Sequence, residues 1–253
     1  MSAGQLKIHL LSDLHLEFGN KKPKYLSKIS TEVDVLVLAG DVGSFSNTEN
    51  ISDYKKHIGY CASLFKHVIV IAGNHEYYGN TLPTVEGYIR NIILDFSNVH
   101  FLQRQSIVID GVRFIGCTLW SEPTIDKHLI SDFTKIKYMS IPVYKQLYNT
   151  DLKYLTKELL QLPDPDVKTT VVITHHLPSY QLVHQRYIDD PANCFFASNV
   201  EHLMKNVDYW LCGHTHTGIY KEINGCKCYI NPYGYPFEKK YETKFDDSLI
   251  IHL

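Results

Sequence analysis

Five short clusters in this chain carry the side chains that bind divalent cations: Asp13-Leu14-His15, Gly40-Asp41, Gly73-Asn74-His75-Glu76, His175-His176 and Gly213-His214-Thr215-His216. Each follows a run of apolar, β-rich residues, in order Ile8 to Leu11, Val33 to Ala39, Val68 to Ala72, Val171 to Thr174 and Tyr209 to Cys212. Side chains placed behind five strands in this way can meet at one rim of a sheet. They bring carboxylate, amide and imidazole donors, no thiolate, and enough of them for two ions. Such a pair suits phosphate-ester hydrolysis, which needs a hydroxide at neutral pH, neutralised phosphoryl oxygens and help for the leaving group. Two divalent ions roughly 3.5–4 Å apart supply the first two.

Asp13 and His15, two residues apart at a strand end, can splay as two ligands to one ion. Asp41 has two oxygens with which to bridge. Asn74 offers a neutral amide oxygen, and His175, His214 and His216 offer imidazoles, which must be neutral to bind metal. Singly these clusters mean little, because Asp-x-His and Gly-Asp are common and a His-His pair is more often an ordinary loop. Gly73-Asn74-His75-Glu76 is more specific, since a packed core histidine needs no Gly and Asn before it. All five together, each behind a strand, argue for a metal site. Nitrogen and oxygen donors suit Mn, Fe, Zn or Co without choosing among them.

The elements that position these clusters alternate in the first hundred residues. Ile51, Tyr54, Ile58, Cys61 and Phe65 lie at helical spacing over Asn50 to Lys66, and Val85, Tyr88, Ile92 and Phe96 mark a second helix. Strand, helix, strand in repetition implies parallel pairing with right-handed crossovers. Two hairpins then follow, Ser106–Ile109 with Val112–Gly116 about Asp110-Gly111, and Ile219–Ile223 with Cys226–Ile230 about Asn224-Gly225. A helical stripe from Val143 to Leu162 stops before Pro163-Asp164-Pro165, and Ser248 to Leu253 reads as a last strand. The pattern by itself gives a mixed sheet, or two packed sheets, with helices outside. The stretch from Trp120 to Ser140 is either a lid or substrate wall, or a surface connection with a packed Trp.

The chain has 253 residues, 44% of them hydrophobic and 21% charged, with a formal net charge of −2, and its mean hydropathy is −0.17. That fits one domain over residues 1–253. It leaves no extended nucleic-acid surface. No apolar run is long enough to span a bilayer, and Met1 to Gln5 do not read as a secretory signal. A cytoplasmic protein with its six cysteines reduced is therefore expected. Cys226 and Cys228 lack a second pair at zinc-site distance and read as packing residues.

The order Asp-x-His, Gly-Asp, Gly-Asn-His-Glu, His, Gly-His-x-His, spanning residues 13 to 216, resembles the calcineurin-like metallophosphoesterase superfamily. The resemblance implies an α/β fold, a four-layer α-β-β-α sandwich of two mixed sheets flanked by helices, with a dimetal site at strand C-terminal ends. Asp13, His15, Asp41 and His216 would hold one metal ion, and Asp41, Asn74, His175 and His214 the other. The implied reaction is hydrolysis of a small phosphate mono- or diester by a metal-bound hydroxide. His75 would be the leaving-group acid, with acidity set by a neighbouring carboxylate, and Asn74 and His176 would face substrate. Arg186, in the Tyr180 to Cys194 loop, is a candidate phosphate contact. The protein serine/threonine phosphatases of the superfamily extend Gly-Asp to Gly-Asp-x-x-Asp-Arg-Gly. This chain reads Gly40-Asp41-Val42-Gly43-Ser44-Phe45-Ser46 and lacks that arginine. It looks more like the small phosphohydrolase and phosphodiesterase branch, in which an Asn-Pro-x-Gly-Tyr such as Asn231–Tyr235 is familiar. A protein-interaction scaffold that has lost ligands is disfavoured by the complete set. A nuclease is disfavoured by the charge and by a length too short for appended DNA-binding parts.

Overall fold

A computed structural model of the chain describes residues 5–19, 26–126, 129–161, 165–238 and 243–253. The reading of Met1 to Gly4 and the helix stop at Leu162-Pro163-Asp164 lie outside them. The elements run β1 (Lys7–Leu11), α1 (Leu26–Ile29), β2 (Val35–Ala39), α2 (Thr48–Leu64), β3 (His67–Ile71), α3 (Leu82–Ile93), β4 (Val99–Phe101), β5 (Gln105–Ile109), β6 (Val112–Gly116), α4 (Asp132–Lys135), α5 (Ile141–Leu159), β7 (Thr169–Ile173), β8 (Tyr209–Cys212), β9 (Ile219–Ile223), β10 (Cys226–Ile230) and β11 (Ile251–His252).

The strands form two mixed sheets with helices on their outer faces. The first has the order β11-β1-β2-β3-β4, parallel throughout except for β11. In the second, β5-β6-β7-β8-β10-β9, four parallel central strands are edged by the antiparallel hairpins. Both hairpins turn as expected, with positive φ at Asp110-Gly111 and Asn224-Gly225, the backbone that a two-residue turn requires. Alternate residues of the central strands divide the apolar side chains. Ile8, Leu10, Val35, Val37, Ile69 and Ile71 pack with Phe114, Val171, Ile173 and Leu211 between the sheets. Leu36, Leu38, Val68 and Val70 instead join Tyr54 and Ile58 of α2, and Ile115 and Val172 join a cluster with Tyr144 and Leu155 of α5.

Helix boundaries follow caps that periodicity does not register. Helix α2 starts at Thr48, ahead of the expected Asn50, because the Asn47 side chain accepts the Asn50 N–H at 2.9 Å. Helix α5 starts at Ile141 under Ser140, with a proline in its first turn. The expected last strand shrinks to Ile251–His252, paired with Lys7 and Ile8. No described helix is long and apolar enough to cross a membrane.

The consequence for function lies at the carboxyl ends of β1, β2, β3, β7 and β8. All five clusters leave the sheets there, three from one sheet and two from the other.

Candidate metal centre

The turns after these strands are sharp. Asp13, His15, Asp41, His214 and His216 have φ of +56°, +47°, +53°, +72° and +46°. The left-handed region costs a residue with a Cβ roughly 1–2 kcal/mol, and such conformations gather at functional sites. Backbone bonds hold them there. The Asp13 and His15 N–H groups donate to Gly40 and Asp41 carbonyls at 3.0 Å each, and Gly213 N–H donates to the His175 carbonyl at 3.0 Å. The fully buried Glu76 carboxylate accepts the N–H groups of Asp41, Val42 and Gly73 at 3.0, 2.8 and 2.8 Å, pinning two ligand loops together. Burial and the Asp41 charge push Glu76 up to about 8, against the pull of those donors. The motif glycines are a packing requirement: a Cβ on Gly73 would fall on the Asp41 carboxylate, and one on Gly40 would lie 2.5 Å from His175 Nδ1.

The donors fall into two groups that meet at Asp41. Ligating atoms of Asp13, His15 and His216 lie within 4.8 Å of one another, as do those of Asp41, His175 and His214. Asp41 Oδ2 stands 3.8 Å from His15 Nε2 and 3.4 Å from His175 Nε2. Asn74 Oδ1 stands 3.2 Å from His175 Nε2.

Hydrogen bonds on the far ring nitrogens fix what these imidazoles present. His175 Nδ1 donates to the Ala39 carbonyl at 2.9 Å, His216 Nδ1 to Glu238 at 2.8 Å and His15 Nδ1 to Glu17 at 3.2 Å. Each Nε2 then carries a lone pair inward. His15 Nε2 and His216 Nε2 face each other at 2.9 Å, and His175 Nε2 faces only oxygens of Asn74 and Asp41. Lone pairs so opposed need a proton or a cation between them. Burial alone would lower His175 and His216, but Asp41 raises the first to about 9, and Asp13 with Glu238 raises the second to about 10. Imidazole nitrogens and oxygens without thiolate, with carboxylates behind two of the imidazoles, fit the binding of divalent metal.

His75 also comes within 4.8 Å of His15 and Asp41. Both its nitrogens have other partners: Nδ1 bonds Glu17 at 2.8 Å and Nε2 lies 3.3 Å from the Tyr235 hydroxyl. Glu17 thus braces both His15 and His75. Burial alone would raise the Glu17 carboxyl, but the two imidazoles outweigh it and bring it down to about 2. His75 stacks on Tyr78 with centroids 4.2 Å apart.

A cavity of about 550 Å³ opens on this centre, and Asp41, Asn74, His75, His214 and His216 reach its wall. Parts of both loops line the cavity: Leu129 to Asp132 from the first, and Val183, Arg186, Tyr187 and Asn193 from the second. Arg186 is exposed, its guanidinium 4.5 Å from the Tyr187 ring. Trp120 is fully buried and packs on Tyr144, so the stretch from 120 to 140 is anchored at its start and borders the cavity farther on. One expectation fails. His176 turns away from the cavity into the core, with Nε2 3.2 Å from the Tyr144 hydroxyl and its ring 4.2 Å from that of His214. Burial and the neighbouring His175 lower it to about 3, so it is a neutral prop for His214.

Glu17, Glu238 and Asp132 were not among the residues singled out by sequence, and Tyr235 stood out only as the end of a motif without a role. Glu17 follows the first cluster by two residues, and Tyr235 closes Asn231-Pro232-Tyr233-Gly234-Tyr235, which docks on the first ligand loop through Tyr233 N–H to Ser12 O and Gly234 N–H to Asp13 O, both 2.9 Å.

Residues 6–218 match the calcineurin-like phosphoesterase family model. An uncharacterized protein of Acanthamoeba polyphaga mimivirus is 24% identical over 266 residues, covering 92% of each chain. The crystal structure of a phosphopantetheinyl hydrolase from Mycobacterium tuberculosis is similar in fold at 15% identity, with a TM-score of 0.68 over 95% of both chains. TT1561 of Thermus thermophilus, at 11% identity, has a TM-score of 0.59 over 90% of this chain and 89% of its own.

Proposed function

The chain belongs to the calcineurin-like phosphoesterase family, and on that premise we propose that it hydrolyses a small phosphate mono- or diester with two metal ions. Asp13, His15, Asp41 and His216 would hold one ion, and Asp41, Asn74, His175 and His214 the other. The observation that carries this reading is Asp41 Oδ2, placed between His15 Nε2 at 3.8 Å and His175 Nε2 at 3.4 Å, where a bridging carboxylate belongs. When bound, two such ions supply a hydroxide at neutral pH and neutralise phosphoryl charge. His75 donates the proton to the leaving oxygen from the cavity wall, with Glu17 holding its far nitrogen. Because both sheets contribute donors, residues 1–253 act as one domain. The cavity is far larger than a phosphoryl group, and its Leu129, Ile130, Val183 and Phe196 wall suits an ester of a sizeable, partly apolar alcohol, with Arg186 at the rim as a phosphate contact.

The test is hydrolysis of a panel of phenyl, alkyl and phosphopantetheinyl mono- and diesters, with metal content measured on the same preparation. A chelator should abolish activity, and Mn, Fe, Zn or Co should restore it. Protein that carries two ions and cleaves no ester in the panel would sink the proposal.

Metal binding should depend on pH in a set direction. Metal needs neutral imidazole, so an ion displaces the protons that Asp41 holds on His175 up to about 9 and that Asp13 and Glu238 hold on His216 up to about 10. Apparent affinity should therefore climb as pH rises, by up to ~tenfold per unit for each proton displaced, less steeply past about 9 and level past about 10. Competition against a chelator at three pH values below about 9 reads this; a flat profile means these imidazoles are not ligands.

A further inference from the structure

Asn74 is the one neutral donor of the proposed set, and an amide can turn either end to a metal. Only the oxygen can ligate, so something must choose the end. The choice is visible in the hydrogen bonds. Asn74 Nδ2 donates to Asp132 Oδ1 at 2.8 Å and lies 3.3 Å from the Tyr78 hydroxyl, while Oδ1 points at the His175 side. A flipped amide would set its oxygen against the Asp132 carboxylate, lose that bond, and have the Tyr78 hydroxyl left to it only at the cost of the bond from Tyr78 to Asp132.

Asp132 is well placed to make the choice. It is 1% exposed and opens the short helix α4, inside the segment that walls the cavity. Its Oδ1 also accepts the Tyr78 hydroxyl at 2.8 Å. The segment is tied to the Asn74 loop by backbone bonds, Gly79 N–H to Lys135 O at 2.7 Å and Lys137 N–H to Asn80 O at 3.0 Å. We propose that Asp132 is a positioning residue that orients the Asn74 amide, so that the cavity wall sets the affinity of the second metal position. This rests on the assignment of Asn74 as a ligand in the proposed function. It also links substrate and metal: any movement of residues 129–135 on substrate entry acts on Asn74 directly.

The experiment titrates metal into metal-free full-length protein and its Asp132→Leu, Asp132→Asn and Asn74→Ala variants, counting ions by elemental analysis. Leu keeps the branching, with somewhat more bulk, and removes the acceptor; Asn keeps an acceptor oxygen for both Asn74 and Tyr78. Outer-shell partners typically change metal affinity by ~10–100-fold. Asp132→Leu should weaken one position by about that much and leave the other at its wild-type affinity. Excess metal should then restore turnover, and Asp132→Asn should bind both ions within a few-fold of wild type. Wild-type affinity at both positions in Asp132→Leu, or equal loss at both, overturns the inference. So does a Leu variant that fails to fold beside a folded Asn variant that has lost one position. If neither Asp132 variant folds, Asp132 serves the fold and the inference is likewise overturned. Should Asn74→Ala bind both ions as tightly as wild type, the ligand assignment itself falls. Should it lose one ion while Asp132→Leu does not, only the role of Asp132 falls.

Discussion

Asp41→Asn should cost more than any other single substitution at this centre, about 10³-fold or more in turnover, with both ions weakened. The argument is geometric. Asp41 Oδ1 accepts the His75 backbone N–H at 2.8 Å, and the substituted side chain can keep that bond with its own oxygen. Its NH2 then occupies the place of Oδ2, between His15 Nε2 and His175 Nε2. A planar amide nitrogen has no lone pair for a metal, so a bridge between the two groups becomes a pair of N–H donors aimed at cations. Losing the shared ligand removes several kcal/mol of charge stabilisation, and each 1.36 kcal/mol is tenfold in rate. Elemental analysis after dialysis against limiting metal reads the binding, and steady-state rates at saturating metal read the chemistry. A variant that keeps two ions and loses less than about tenfold in rate would contradict the bridging role. Loss of one ion alone would give Asp41 to a single position.

The contrast with Asp132 shows what the sequence could and could not carry. Asp41 is legible as one of a set: a carboxylate behind Gly40, at the end of the five-residue buried strand β2, as the other clusters stand behind theirs. The same holds for Asp13, Asn74, His175 and His214, because a strand end is a local feature that brings the chain to the rim. Glu17 aside, two residues beyond His15, the partners behind the ligands obey no local rule. Glu238 reaches His216 from 22 residues away, and Asp132 reaches Asn74 across 58. They sit in polar loops where an acid reads as a solvated surface charge, and only the path of the loop gives them a role. His176 failed for the same reason. Adjacent residues after a strand diverge, and His175 took the rim while Tyr144 of α5, 32 residues earlier, drew its neighbour into the core. The division of strands between sheets was equally hidden. β4 and β5 are separated by Leu102 to Arg104, with Arg104 at φ +53°, yet they belong to different sheets.

His75→Ala should keep both ions and lose rate according to the leaving group. Its nitrogens are occupied by Glu17 and the Tyr235 hydroxyl, so removing the ring takes nothing from the donors aimed inward by His15, His175 and His216. Burial alone would depress the His75 imidazole, but the Asp41 and Glu17 carboxylates outweigh that and raise it, the direction an acid requires. An alkyl alkoxide cannot leave without a proton, whereas nitrophenolate can. General acid catalysis contributes ~10²–10⁴-fold, so alkyl esters should lose that much and nitrophenyl esters roughly tenfold or less. The comparison needs both substrates on one preparation of known metal content. Equal losses would mean that His75 stabilises the phosphoryl oxygens in place of protonating the leaving group. Loss of an ion would make it a ligand, and the bonds to Glu17 and Tyr235 would then be features of the metal-free centre alone.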